Sequence, residues 1–226
     1  MHLANCTMCF EPGTLLRVGV RASAAIDSVP EVTNARALAK AAFTSVTSRA
    51  YPMLRVGRGA VVVVWGPAGQ GKSSLAGRLV DGIDGPVALQ SVEEAPGPAL
   101  HDRLARCHIR REDFHILGRT SVDGVADFCR EKKIVALAID SLQIAAYTSE
   151  ELRHLTLVLP DLRVLVAVCQ VNKRGSIEGK ERVIFEADVA IRCDQMKFVL
   201  TKSRYQKLDV SGDVLSFAEG AHDEDN

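Results

Sequence analysis

Ala60-Val61-Val62-Val63-Val64-Trp65 leads straight into Gly66-Pro67-Ala68-Gly69-Gln70-Gly71-Lys72-Ser73-Ser74, a β-branched run set against a glycine-rich turn. A near-continuous apolar run of that length predicts a strand buried on both faces, and Gly71 to Val80 predicts the helix that follows it. The turn between them satisfies G-x-x-x-x-G-K-[ST] over Gly66 to Ser73, with Ser74 behind it. Its glycines let the backbone wrap a polyphosphate, and its amides and the helix N-terminus supply donors. Lys72 reaches β and γ oxygens, and Ser73 offers a hydroxyl to Mg²⁺. A chance glycine-rich turn is the competing reading, and the strand and helix flanks weigh against it.

Outward from this unit, Val87 to Gln90, Phe114 to Leu117, Ile134 to Asp140, Val164 to Gln170 and Val189 to Cys193 repeat the strand signature. Helical stretches fall near Ala99 to Cys107, Val122 to Lys132 and Glu150 to Leu159. Such alternation predicts an α/β fold with a mostly parallel sheet. Lys197 to Tyr205 and Val214 to Phe217 follow with only a turn signal over Asp209 to Asp213, so the sheet is expected to end in antiparallel strands. The expected division is an N-terminal appendage over 1–52, the α/β domain over 53–218 and an acidic tail over 219–226.

Composition narrows the function classes. The 226 residues are 47% hydrophobic, and 28 basic side chains balance 28 acidic ones, so any contact with nucleic acid must be local. No apolar run is long and unbroken enough to span a bilayer, and no basic and apolar leader opens the chain. A cytoplasmic protein without a membrane partner is expected. The six cysteines form no disulfide framework; Cys107, Cys129, Cys169 and Cys193 fall in expected core elements as small buried hydrophobes.

Two further segments complete the chemistry. Ile134 to Asp140 is an apolar strand ending in a carboxylate, so Asp140 is the candidate to hold Mg²⁺; the alternative is an aspartate that caps the next turn. Ser141 rather than a second acid follows it, so a base that orients water must lie elsewhere. Ser91-Val92-Glu93-Glu94, directly after the strand Val87 to Gln90, provides one at the strand ends where parallel sheets place ligands. A pair of exposed acids opening a loop is the alternative there.

With these residues assembled, the chain from about Gly57 to Phe217 resembles the RecA-fold P-loop ATPases, most closely the RadA and DnaB-type families. In the resemblance, Glu93 matches the catalytic glutamate and Ile139-Asp140-Ser141-Leu142-Gln143 the metal-binding strand end. Gln170, in Val168-Cys169-Gln170-Val171-Asn172-Lys173, takes the place of the γ-phosphate sensor. Thr201-Lys202-Ser203-Arg204-Tyr205 resembles the Lys-Asn-Arg-Phe-Gly signature of RadA and the Lys-x-Arg of the helicases. It implies that Lys202 and Arg204 reach a neighbouring subunit's nucleotide, and hence a homo-oligomeric ring or filament. Alternation along a strand puts both side chains on one face, and two solvated charges are the competing reading.

The resemblance also implies single-stranded DNA as a partner, met by the glycine-containing loop Asn172 to Val183 with Lys173, Arg174, Lys180 and Arg182. That loop holds no aromatic residue, so the expected contact is salt-sensitive and blind to sequence. Departures are visible. RadA opens with a four-cysteine zinc ribbon, whereas Cys6 and Cys9 make only half a site, so zinc is not expected. The accessory domains of both families have no counterpart, and Tyr205 and Gln206 replace the signature's Phe and Gly. The implied activity is Mg²⁺-dependent ATP hydrolysis coupled to single-stranded DNA binding, translocation or repair. A regulatory ATPase acting on a protein partner is the second reading, and a small-acceptor kinase the third.

Overall fold

The structure is a computed structural model that describes residues 44–171 and 181–215, together with Arg36. The chain divides into compact units at residues 1–41 and 42–226, and every element named below belongs to the second. Cys6 and Cys9, and with them the zinc question, lie outside the described residues, as do Lys173, Arg174 and Lys180 of the proposed DNA loop.

A hairpin of β1 (Ser45–Ser48) and β2 (Tyr51–Gly57) precedes β3 (Ala60–Gly66), which is followed by α1 (Lys72–Asp81), β4 (Val87–Ser91), α2 (Pro98–Arg106) and β5 (Phe114–Leu117). Then come α3 (Val122–Lys132), β6 (Ala136–Asp140), α4 (Leu142–Ala145), α5 (Ser149–Val158), β7 (Val164–Gln170), α6 (Glu181–Glu186), β8 (Val189–Asp194), β9 (Lys197–Ser203) and β10 (Ser211–Asp213). Eight strands form one sheet in the order β10-β9-β8-β3-β7-β6-β4-β5. The six from β8 to β5 are parallel, and β9 and β10 join antiparallel.

Alternation along the strands divides the core between the two faces of the sheet. Val62 and Val64 of β3, Ala136 and Ala138 of β6, and Val164, Val166 and Val168 of β7 meet α1 and the hairpin through Leu75, Leu79, Val80, Tyr51 and Leu54. Val61, Val63, Leu137, Ile139, Leu165 and Ala167 point the other way, against Val125 and Cys129 of α3 and Leu152 and Leu155 of α5. Each fully buried Leu, Ile or Val here contributes about 1.5–3 kcal/mol of transfer free energy. Cys107, Cys129, Cys169 and Cys193 are all buried, and burial pushes the Cys129 and Cys193 thiols up to about 12.

Two elements differ from expectation. The last strand is β10 at Ser211–Asp213, with the β9 connection running over 204–210, rather than a strand over Val214 to Phe217. Val214 is fully buried, and its carbonyl accepts from the Tyr51 hydroxyl and from Arg78 Nη1 at 2.9 Å, which takes it out of the ladder. Gly212 fits the strand because a Cβ there would meet the Phe198 ring at 2.9 Å. The second difference is α6, which begins within the stretch read as a loop; Val183 turns into the core while Arg182 pairs with Glu186 one turn on. Among the described residues no helix is long and apolar enough to cross a membrane.

Candidate nucleotide site

Parallel strands deliver their C-terminal ends to one edge, and that edge gathers the candidate residues. Gly66, ending β3, lies in register with Gln170, ending β7; Ser91, ending β4, lies in register with Asp140, ending β6. Residues far apart in sequence are thereby fixed side by side. A cavity of roughly 370 Å³ opens there, lined by Ala68 to Ser74, Glu93, Gln170 and Val168, and by Arg106, Met196 and Leu215.

The loop's shape depends on two glycines. Gly66 has φ +149°, and a Cβ would stand 2.2 Å from the Cys193 carbonyl oxygen, so β3 and β8 approach closely only because nothing is there. Gly71, with φ +87°, caps α1 in the left-handed region. The cation at the loop's end is Lys72, which is buried, and its Nζ donates to the Pro67 carbonyl at 2.6 Å. Burial holds its pKa below the usual lysine value, while the nearby Cys193, Asp140 and Glu93 oppose that shift. Gln70 reaches across the mouth, its Oε1 accepting from the Gln195 backbone N–H.

Asp140 is almost fully buried, and burial raises its pKa while Arg103 and the Ser73 hydroxyl pull it down. Its Oδ1 has no hydrogen-bond partner among the described residues. A buried bare carboxylate oxygen beside a serine hydroxyl is a donor set suited to Mg²⁺. The Asp140–Ser141 peptide is cis. Above this floor Glu93 is exposed on the loop after β4, which is tied down by Val92 N and Glu93 N donating to the Asp140 carbonyl at 2.7 and 3.2 Å. Gln170 Nε2 donates to both Glu93 oxygens at 2.8 Å. Gln143 holds Gln170 in turn: its Nε2 donates to the Gln170 carbonyl at 2.9 Å and its Oε1 accepts from the Gln170 N–H at 3.2 Å.

The structure thus brings together Lys72, Ser73, Asp140, Glu93 and Gln170. It places the other candidates elsewhere. Lys202 Nζ donates to the Phe185 carbonyl and sits 5.6 Å from that ring's centroid, and Arg204 pairs with Asp188 at 3.4 Å. Arg182, the one described member of the DNA set, pairs with Glu150 and Glu186. Trp65 lies outside the cavity lining, its Nε1 donating to Thr201 Oγ1 at 3.3 Å.

No protein-family model and no curated protein matches the chain. Among solved structures, the ATPase domain of a DnaB-type helicase is similar at a TM-score of 0.52, with 16% identity over 75% of this chain and 84% of that one. The fold is a RecA-like P-loop fold. Four residues of this RecA-like site escaped the motif reading. Arg103 and Arg106 read as solvated charges on an amphipathic helix, and Met196 and Leu215 belong to no motif. The only signal was adjacency, since Arg103 and Arg106 follow the Glu93 loop by one helix length.

Proposed function

We propose that the chain is a Mg²⁺-dependent ATP hydrolase of the RecA, RadA and DnaB type, whose turnover is coupled to single-stranded DNA. The observation that carries the hydrolase reading is Glu93 held by Gln170 at the open side of the phosphate loop, with Lys72, Ser73 and Asp140 beneath. The loop amides and Lys72 bind the triphosphate of ATP. Glu93 orients a water molecule and takes its proton as the water oxygen attacks the γ-phosphorus; the bond to the β–γ bridging oxygen breaks, and ADP leaves with the electron pair. Ser73 and Asp140 would hold Mg²⁺, which when bound offsets the charge on the β and γ oxygens. Gln170 has two N–H donors, so one can turn to the γ-phosphate while the other keeps Glu93, which makes strand β7 sensitive to hydrolysis.

Lys202 and Arg204 complete a neighbour's site in this reading, and the loop that carries Lys173, Arg174, Lys180 and Arg182 follows the DNA backbone. The test is steady-state ATPase activity over a protein concentration series, with and without single-stranded DNA, at low and moderate salt. Glu93→Gln is expected to keep ATP binding while turnover falls by about 10²–10⁴-fold; near-normal turnover would remove Glu93 from its role. Specific activity that rises with protein concentration and with DNA, and loses the DNA effect in salt, is the expected result. A second reading, a regulatory ATPase acting on a protein partner, is favoured by Leu157 and Phe185, apolar side chains 76% and 81% exposed. Turnover indifferent to DNA would select it.

A further inference from the structure

Arg103 in the last turn of α2 belongs to no motif, yet its side chain is only 10% exposed. Its Nε donates to Glu94 Oε2 at 2.9 Å, its Nη2 lies 2.8 Å from that same oxygen, and its Nη1 donates to Asp140 Oδ2 at 3.2 Å. A buried guanidinium therefore joins the loop that bears Glu93 to the carboxylate at the floor of the phosphate site. It occupies one oxygen of Asp140 and leaves the other, Oδ1, bare beside Ser73.

We propose that Arg103 is a positioning residue that governs metal entry: it aims Asp140 Oδ1 at the metal position and, as a resident cation, keeps a divalent ion out until a nucleotide is bound. The inference rests on the assignment of Asp140 to the metal in the ATPase reading. Its physics is independent of turnover. A fixed positive charge on the same carboxylate repels a divalent cation through a poorly screened interior, and a polyphosphate supplies the negative charge that offsets the repulsion. Order of binding follows, because metal enters with nucleotide rather than ahead of it. A purely structural ion pair would stabilise α2 without altering affinity for metal.

Mn²⁺, a paramagnetic substitute for Mg²⁺, titrated into the full chain without nucleotide and read by electron paramagnetic resonance, separates these roles. Arg103→Gln is expected to tighten Mn²⁺ binding by about tenfold or more, and Arg103→Lys, which keeps the charge, to stay near the parent value. Asp140→Asn added to Arg103→Gln should abolish the gain. Unchanged or weaker Mn²⁺ binding by folded Arg103→Gln would overturn the proposal. Should that variant not fold, Glu94→Gln, which leaves the guanidinium less neutralised, is expected to weaken Mn²⁺ binding, and unchanged or tighter binding would overturn the proposal instead. No ATP enters this titration, so an absence of wild-type turnover would remove the ATPase reading alone, and an unmoved Mn²⁺ affinity this inference alone.

Discussion

At the scale of single residues, the fork of Gln143 on the Gln170 backbone makes a testable distinction between holding and reacting. Gln143 touches no substrate position of its own; it fixes the strand end from which Gln170 reaches Glu93. Gln143→Ala is expected to lower kcat by about tenfold while nucleotide affinity changes little, measured as separate kcat and binding values. Gly66→Ala belongs at this scale too. Its Cβ would collide with the Cys193 carbonyl, and the expected outcome is a loss of more than about 3 kcal/mol in denaturant unfolding. Lys72, Ser73 and both glycines were legible because a phosphate loop prescribes residue type and spacing together. Arg103 was not, since its partners Glu94 and Asp140 lie 9 and 37 residues away, and nothing in an amphipathic helix says which arginine faces inward.

Elements were read well wherever both faces of a strand are buried. The runs of β3, β6 and β7 carry apolar residues at nearly every position, and the helices between them are long enough to show their period. The reading weakened at the sheet's margins. The β1–β2 hairpin contains Pro52 and a register shift between Thr47 and Ser48, both of which blur alternation, and β10 is three residues long. Connections hold surprises of their own. Arg111, just before β5, donates to the carbonyls of Asp81, Ile83 and Gly85 at 2.7, 2.8 and 2.6 Å and pairs with Asp113, so one side chain binds the α1–β4 connection. Arg111→Ala is expected to cost roughly 2–4 kcal/mol, read by chemical denaturation. Hydrogen bonding from Arg111 lowers the Asp113 pKa, so the pair's contribution is full above the ordinary aspartate value near 3.9 and fades as pH falls through the folded value. In Arg111→Ala that acid-side slope of stability should be shallower.

Across the whole molecule, the two core layers share one sheet, so the described domain is expected to unfold in a single transition. Trp65 fluorescence and far-ultraviolet circular dichroism should report coincident midpoints, and separated midpoints would show that the antiparallel end melts on its own. Tyr51 ties the extremes of that domain together: its hydroxyl reaches the Val214 carbonyl, its ring meets Phe198 edge-on at 5.4 Å, and the Arg78 guanidinium lies 5.3 Å from the ring centroid. Tyr51→Phe should cost about 1–2 kcal/mol, because Val214 then keeps only Arg78 as a side-chain donor. Leu215, the next residue, walls the nucleotide cavity. Amide hydrogen exchange in β2 and around Val214 should therefore slow together when nucleotide binds, so that a hairpin with no residue in the pocket's lining becomes a reporter of its occupancy.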